Sequence, residues 1–169
     1  MTEGSSTGAG SITKTGAGAL SHSGSGTLTL DGANITTSSG SGAMTLGSNI
    51  VLGSSGGIFD LTGAEITLNG KISGSGSLTK QGAFNLWLIG NNSHTGTQSV
   101  MSGWLVAGSA TAIGTGQIIL SDGTTLGFNA GIASFANNIV LAGNATLRNA
   151  GYPPMSGQIL GATLVAAPR

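Results

Sequence analysis

Two strings in the chain, Gly4-Ser5-Ser6-Thr7-Gly8 and Gly53-Ser54-Ser55-Gly56-Gly57, have the G-x-S-x-G spacing that can seat a nucleophilic serine. That chemistry needs a sharp strand-to-helix turn in an α/β sheet, with an acid and a histidine downstream. No helix follows either string, and a chain this rich in Gly and Ser produces such matches by chance. His22 and His94 are the only histidines and stand far apart. Neither falls in a metal-ligand spacing, and with no cysteine to complete a set, no metal site is expected. Both read as turn or surface histidines. Four carboxylates, Asp31, Asp60, Glu65 and Asp122, could in principle form the pair a glycan-cleaving enzyme uses. Asp31 and Asp122 each precede Gly and read as turn residues, and Asp60 and Glu65 read as solvent-facing strand positions. No catalytic residue, cofactor or metal is assigned; the chain is read as a non-enzyme.

Composition narrows the classes further. The chain has 169 residues, 5 basic and 5 acidic side chains and zero net charge. A nucleic-acid binder needs a basic footprint to neutralise phosphates, and this chain has none. No apolar run of about 18 residues exists, so no helical membrane span is expected. Gly contributes 32 residues and Pro only 3. Such a bias suggests disorder, but disorder comes with high net charge and few large apolar residues. Here charge is nearly absent and the apolar residues are regularly spaced.

That spacing is period 2. Thr27-Leu28-Thr29-Leu30-Asp31-Gly32, Glu65-Ile66-Thr67-Leu68-Asn69-Gly70 and Asn138-Ile139-Val140-Leu141-Ala142-Gly143 each alternate and then close on turn formers. Glycine falls too often for a helix of three turns. The protein is therefore all-β, with Leu28, Leu30, Ile66, Leu68, Leu86, Leu88, Ile139, Leu141 and Leu147 pointing inward. Asn34, Asn49, Asn91, Asn92, Asn137, Asn138 and Asn144 read as corner residues, because asparagine tolerates tight turns.

Internal similarity points to a solenoid. Gly8-Ala9-Gly10-Ser11-Ile12-Thr13-Lys14-Thr15-Gly16 reappears as Gly74-Ser75-Gly76-Ser77-Leu78-Thr79-Lys80-Gln81-Gly82, and Leu28, Leu30, Gly32 and Asn34 reappear as Leu86, Leu88, Gly90 and Asn92. The two offsets differ because the first copy carries an extra stretch, Ala19–Gly26. A repeat near 60 residues fits about three coils of about 20 residues each. Seven or eight coils stacked about 4.8 Å apart give a rod on the order of 35 Å long.

The second copy, running from Gly74 through Leu86-Trp87-Leu88-Ile89-Gly90-Asn91-Asn92-Ser93-His94-Thr95-Gly96 to Val100 and Trp104-Leu105-Val106-Ala107-Gly108, resembles the passenger-associated transport repeat of bacterial autotransporters. The resemblance covers most of residues 8–150. It implies a right-handed parallel β-helix, exported and displayed on a bacterial surface, with a signal and a membrane barrel outside this sequence. It carries no catalytic residues. The chain departs from the pattern at His94, where the family has tyrosine or phenylalanine, and at Phe84, Trp87 and Trp104, where small or polar residues are usual.

The expected organisation is one β-helix segment, residues 1–169, of a larger passenger: repeat copies over 8–70 and 71–150, and a tail or partial coil over 151–169. The expected function is an adhesive surface rod that also assists passenger folding and export. The alternatives are a dedicated self-association or glycan-binding module and, third, a β-helical glycan-cleaving enzyme. Parity with Leu86 and Leu88 turns Trp87 and Ile89 outward, and Trp104 faces the same way beside Leu105. With Phe84 these residues form the expected contact patch on adjacent coils, exposed unless a loop or the extra stretch Ala19–Gly26 covers them. The expected partners are a host-surface protein or glycan, or a second copy of the chain meeting this patch or the open solenoid ends.

Overall fold

The computed structural model describes residues 26–129 and 136–149, together with the backbone of the short strands at 12–14, 20–22 and 164–166. The first coil is β1 (Ile12–Lys14), β2 (Leu20–His22) and β3 (Thr27–Leu30). The second is β4 (Ala33–Thr37), β5 (Met44–Leu46) and β6 (Asn49–Leu52), and the third is β7 (Gly57–Leu61), β8 (Ile66–Leu68) and β9 (Ile72–Gly74). From the fourth coil onward only two strands remain per coil: β10 (Leu78–Gln81) with β11 (Leu86–Leu88), and β12 (Gln98–Val100) with β13 (Trp104–Ala107). Next come β14 (Ile118–Leu120) with β15 (Thr125–Phe128), and β16 (Ile139–Leu141) with β17 (Thr146–Asn149). A further strand, β18 (Leu164–Ala166), lies beside β16.

Like strands of successive coils stack into three walls. The first wall has eight strands (β1-β4-β7-β10-β12-β14-β16-β18), the second seven (β2 to β17) and the third three (β3-β6-β9). Every pairing is parallel. Parallel neighbours need a crossover of a dozen or more residues, usually a helix. Here the other walls of the same coil make the crossover, so the fold closes with no helix among the described residues. Seven steps of about 4.8 Å along the first wall give about 34 Å, in line with the expected rod. All-β class and solenoid architecture are both confirmed.

Alternation fills the interior. On the second wall Met44, Ile66, Leu86, Leu105 and Leu126 form one inward column, and Leu46, Leu68, Leu88, Ala107 and Phe128 the next; all are buried. On the first wall Ile35, Phe59, Lys80, Val100 and Leu120 are in register and fully buried. Of the expected inward residues, Leu30, Ile66, Leu68, Leu86, Leu88 and Ile139 are buried, while Leu28, Leu141 and Leu147 pack partly buried against the same core. Each fully buried aliphatic side chain contributes about 1.5–3 kcal/mol.

Glycine marks the corners where coils nearly touch. A Cβ on Gly76 would overlap the carbonyl oxygen of Gly53, one on Gly96 that of Gly76, and one on Gly116 that of Gly96. The G-x-S-x-G string at 53–57 belongs to this corner: Gly56 has φ of 72° and leads into β7, a strand. The string at 4–8 lies outside the described residues.

The repeat alignment needs one correction. Leu28 and Leu30 lie on the third wall, whereas Leu86 and Leu88 lie on the second. The second-wall counterpart of β11 in the first coil is β2, inside the stretch read as an insertion; Leu20 shares its column with Met44, Ile66 and Leu86. Both strings, T-L-T-L-D-G and L-W-L-I-G, record a strand followed by a turn, which is common to every wall.

Candidate contact face on the second wall

The outward positions of the second wall form two columns. Stepping one residue back from the inward column gives Glu65, Asn85, Trp104, Thr125 and Thr146; stepping one forward gives Thr45, Thr67, Trp87, Val106, Gly127 and Arg148. Trp87 and Trp104 therefore face outward on adjacent coils. They are not fully exposed, however: both are half-buried. Each lies against the wall, held by a polar partner on another coil. Trp87 Nε1 donates to Glu65 Oε2 at 3.1 Å, one coil back. The Arg148 guanidinium lies over the Trp104 ring, 4.6 Å from its centroid, reaching back two coils across the position of Gly127, which has no side chain to block it. Val106, outward by parity, is wholly buried.

Phe84 and Ile89 stand at the two ends of β11 and are 44% and 38% exposed, so the outer parts of the expected patch are the apolar parts that solvent reaches. A Cβ on Gly108 would lie 2.6 Å from Ile89 Cδ1, which places Ile89 over the next coil. Met101, at 55% the most exposed large apolar side chain among the described residues, follows β12 and was absent from the expected patch. Glu65, Asn85 and Arg148 were missed as members of the face. Counting coil by coil from Leu86 back to Ile66 and on to Leu105 would have found them.

The other chemical candidates scatter. Asp31 and Asp122 are the turn residues expected: Asp31 Oδ1 accepts from Ser55 N at 2.7 Å and Asp122 Oδ1 from Asn144 N at 2.8 Å, each tying a corner to the next coil. The bonds from Ser55 hold the Asp31 carboxyl below its usual range. Asp60 is on the first wall with Oδ1 buried and unpartnered, and Glu65 is engaged by Trp87. Among the described residues no cluster of His, Cys, Asp and Glu could hold a metal ion.

His94 corrects the expectation of a surface histidine. It lies in the irregular segment between β11 and β12 and is fully buried, with neither ring nitrogen hydrogen-bonded. Burial lowers its pKa, opposed by Gln98 and by the backbone at Ile72. His22 lies in β2, whose side chains are outside the described set. Lys80, read only as a repeat residue, points inward and is also fully buried. Its Nζ donates to the carbonyls of Gln81 (2.9 Å), Gly82 (2.7 Å) and Ser102 (3.0 Å), using all three ammonium donors at the corner between the first and second walls. Burial lowers its pKa to about 8, with Asp60 acting the other way.

This geometry defines a class: a neutral parallel β-solenoid that carries, among the described residues, an outward face with two tryptophans. The Adhesin BmaC autotransporter of Brucella suis biovar 1 (strain 1330) is 36% identical to this chain over 107 residues, which is 60% of this chain and 3% of that protein. The resemblance to autotransporter passengers is thus supported by a relative as well as by the fold. The chain spans only a small fraction of that relative. No family model and no solved structure matches it.

Proposed function

We propose that this chain is a segment of a surface-displayed adhesive rod, part of a larger autotransporter-type passenger, with the outward face of the second wall as its contact surface. One observation carries the reading: a parallel solenoid whose sequence is similar to an autotransporter adhesin bears two indoles, each held on the outer wall by a charged partner. The work is mechanical and recognitive. Stacked coils extend the face away from the cell, and the face meets a host-surface protein or glycan. The same reading places the protein outside the cell or on its surface, and gives it no catalytic step. No helix of the described residues is long and apolar enough to cross a membrane.

The test is to display the chain on a non-adherent bacterium through a heterologous membrane barrel and count cells bound to a host-cell layer. The expected result is adhesion above the barrel-only strain, lowered by Trp87→Thr with Trp104→Thr at unchanged surface level. Adhesion no better than the barrel alone overturns the proposal. Self-association is read in parallel from cell settling and from sedimentation of the isolated chain.

A further inference from the structure

The chemistry of the face limits what it can hold. An indole buries at most about 150–250 Å², and Trp87 and Trp104 are already half-buried on their own wall. A stable protein interface needs about 800 Å² on each side. Apart from Phe84 and Ile89 at the two ends of β11, the rest of this face is Thr45, Thr67, Asn85, Gly127 and Thr146, which adds little apolar area. The two rings are one coil and two residues apart, about 8 Å between Cα atoms. They offer two separate flat apolar platforms with an amide, Asn85, one coil below Trp104. Flat ring faces edged by planar hydrogen-bonding groups suit a sugar chain, whose rings present C–H faces and hydroxyl edges.

Charge then narrows the sugar. Arg148 is exposed, and its guanidinium carbon lies over the Trp104 ring, 4.6 Å from the centroid, with its N–H donors open to a further partner. No carboxylate among the described residues pairs with it. A guanidinium in that posture binds a carboxylate bidentately. The face's own acid, Glu65, has its carboxylate engaged by the indole N–H of Trp87. Its role is to hold Trp87 in place.

We propose that the second-wall face between Glu65 and Arg148 binds a glycan chain bearing carboxylated sugars. Trp87 and Trp104 stack on sugar rings, and Arg148 pairs with a sugar carboxylate. The inference rests on the adhesive reading above and names the partner of the same face.

The probes are a hexasaccharide alternating glucuronate with N-acetylglucosamine, and the same hexasaccharide with its carboxyls reduced to alcohols. The chain's 2 tryptophans report binding by fluorescence. The acidic probe should give a saturable change that weakens with salt, and the reduced probe should bind about tenfold more weakly. Arg148→Gln should bring the acidic probe down to the level of the reduced one, and Trp104→Thr should weaken both by about tenfold. If Trp104→Thr alters the circular dichroism spectrum, Trp104→Phe keeps a ring in place and must retain binding, while Arg148→Gln still has to abolish the preference. No saturable change with either probe at millimolar concentration, equal binding of both, or an Arg148→Gln variant that keeps the preference overturns the inference. Displayed rods that adhere to cells yet ignore both probes remove this inference and leave the adhesive reading. Rods that bind the acidic probe without adhering do the reverse.

Discussion

His94 should make the rod sensitive to acid, by an amount its burial sets. Its ring is 0% exposed and both nitrogens lack partners, so the folded state holds it neutral and its pKa below the ordinary 6.5. In the unfolded chain the ring takes up a proton near 6.5. Below that value the unfolded state binds more protons than the folded one, so stability present at neutral pH is lost as pH falls. One proton corresponds to about 1.4 kcal/mol per pH unit. Acidification to about pH 5 should therefore cost up to about 2 kcal/mol through this group alone. Urea melts of the wild type and His94→Phe, run from about pH 7.5 down to about pH 5, isolate the effect. Phenylalanine keeps a flat ring in the site and cannot titrate. Every other group is common to both proteins and cancels in the difference. The wild type should lose stability on acidification faster than the variant, the gap opening below 6.5. Parallel pH profiles would refute the reasoning, because they would mean that the native ring accepts the proton as readily as the unfolded one.

Further outcomes follow from the packing. Leu88→Ala, at a wholly buried inward site, should cost about 2–5 kcal/mol in denaturant melts, and Thr67→Ala on the outward side of the same wall about 0.5 kcal/mol or less; equal costs would overturn the register. Lys80→Met keeps the stem but strips three corner carbonyls of their donor, and should lower stability by about 2–4 kcal/mol, whereas a neutral result would mean that burying the ammonium cancels its bonds. Gly96→Ala puts a Cβ into the Gly76 carbonyl and should cost about 2 kcal/mol or more by thermal melting, far above the same change at Gly40, where nothing lies in the way but φ is 77°.

The second wall was legible because its alternation is strict: Ile66 and Leu68, then Leu86 and Leu88, each flank one outward residue, and parity placed Trp87 and Trp104 outside. Which wall a strand joins was not legible. Leu28 and Leu86 sit in near-identical strings yet on different walls, since a short strand and its turn have the same local chemistry wherever the coil puts them. The burial of His94 and Lys80 was missed for a related reason. Polar residue types predict exposure, and only coil-to-coil contacts reveal that Lys80 shares a column with Phe59 and Val100, where its ammonium can reach a corner. Half-burial of the tryptophans depends on Glu65 and Arg148, on other coils and distant in sequence.

The change in the third wall bears on why the proposed contact face lies on the second. Over the first three coils that wall is strand, and its inward residues Ile50, Leu52 and Ile72 are apolar. After β9 the strands stop, and the coils keep only scattered backbone bonds on this side, such as Ser93 N to Ile72 O, Thr95 N to Gly74 O and Thr115 N to His94 O. Buried side chains add to them: Asn92 accepts from Ile72 N and donates to Ala112 O, bridging the coils on either side, and Asn137 donates to Gly114 O and Gly116 O. Gln98 does the same for Ile113 O, but its own Oε1 and the ring of His94 go unpaired. This side of the rod is thus held by individual polar bonds, one of them next to a titratable group. The second wall runs as an unbroken seven-strand ladder through the same coils, over a column of buried leucines. A recognition surface needs its groups held on rigid elements. Trp87 and Trp104 stand on the wall that meets that condition, opposite in kind to the wall where the interior turns polar.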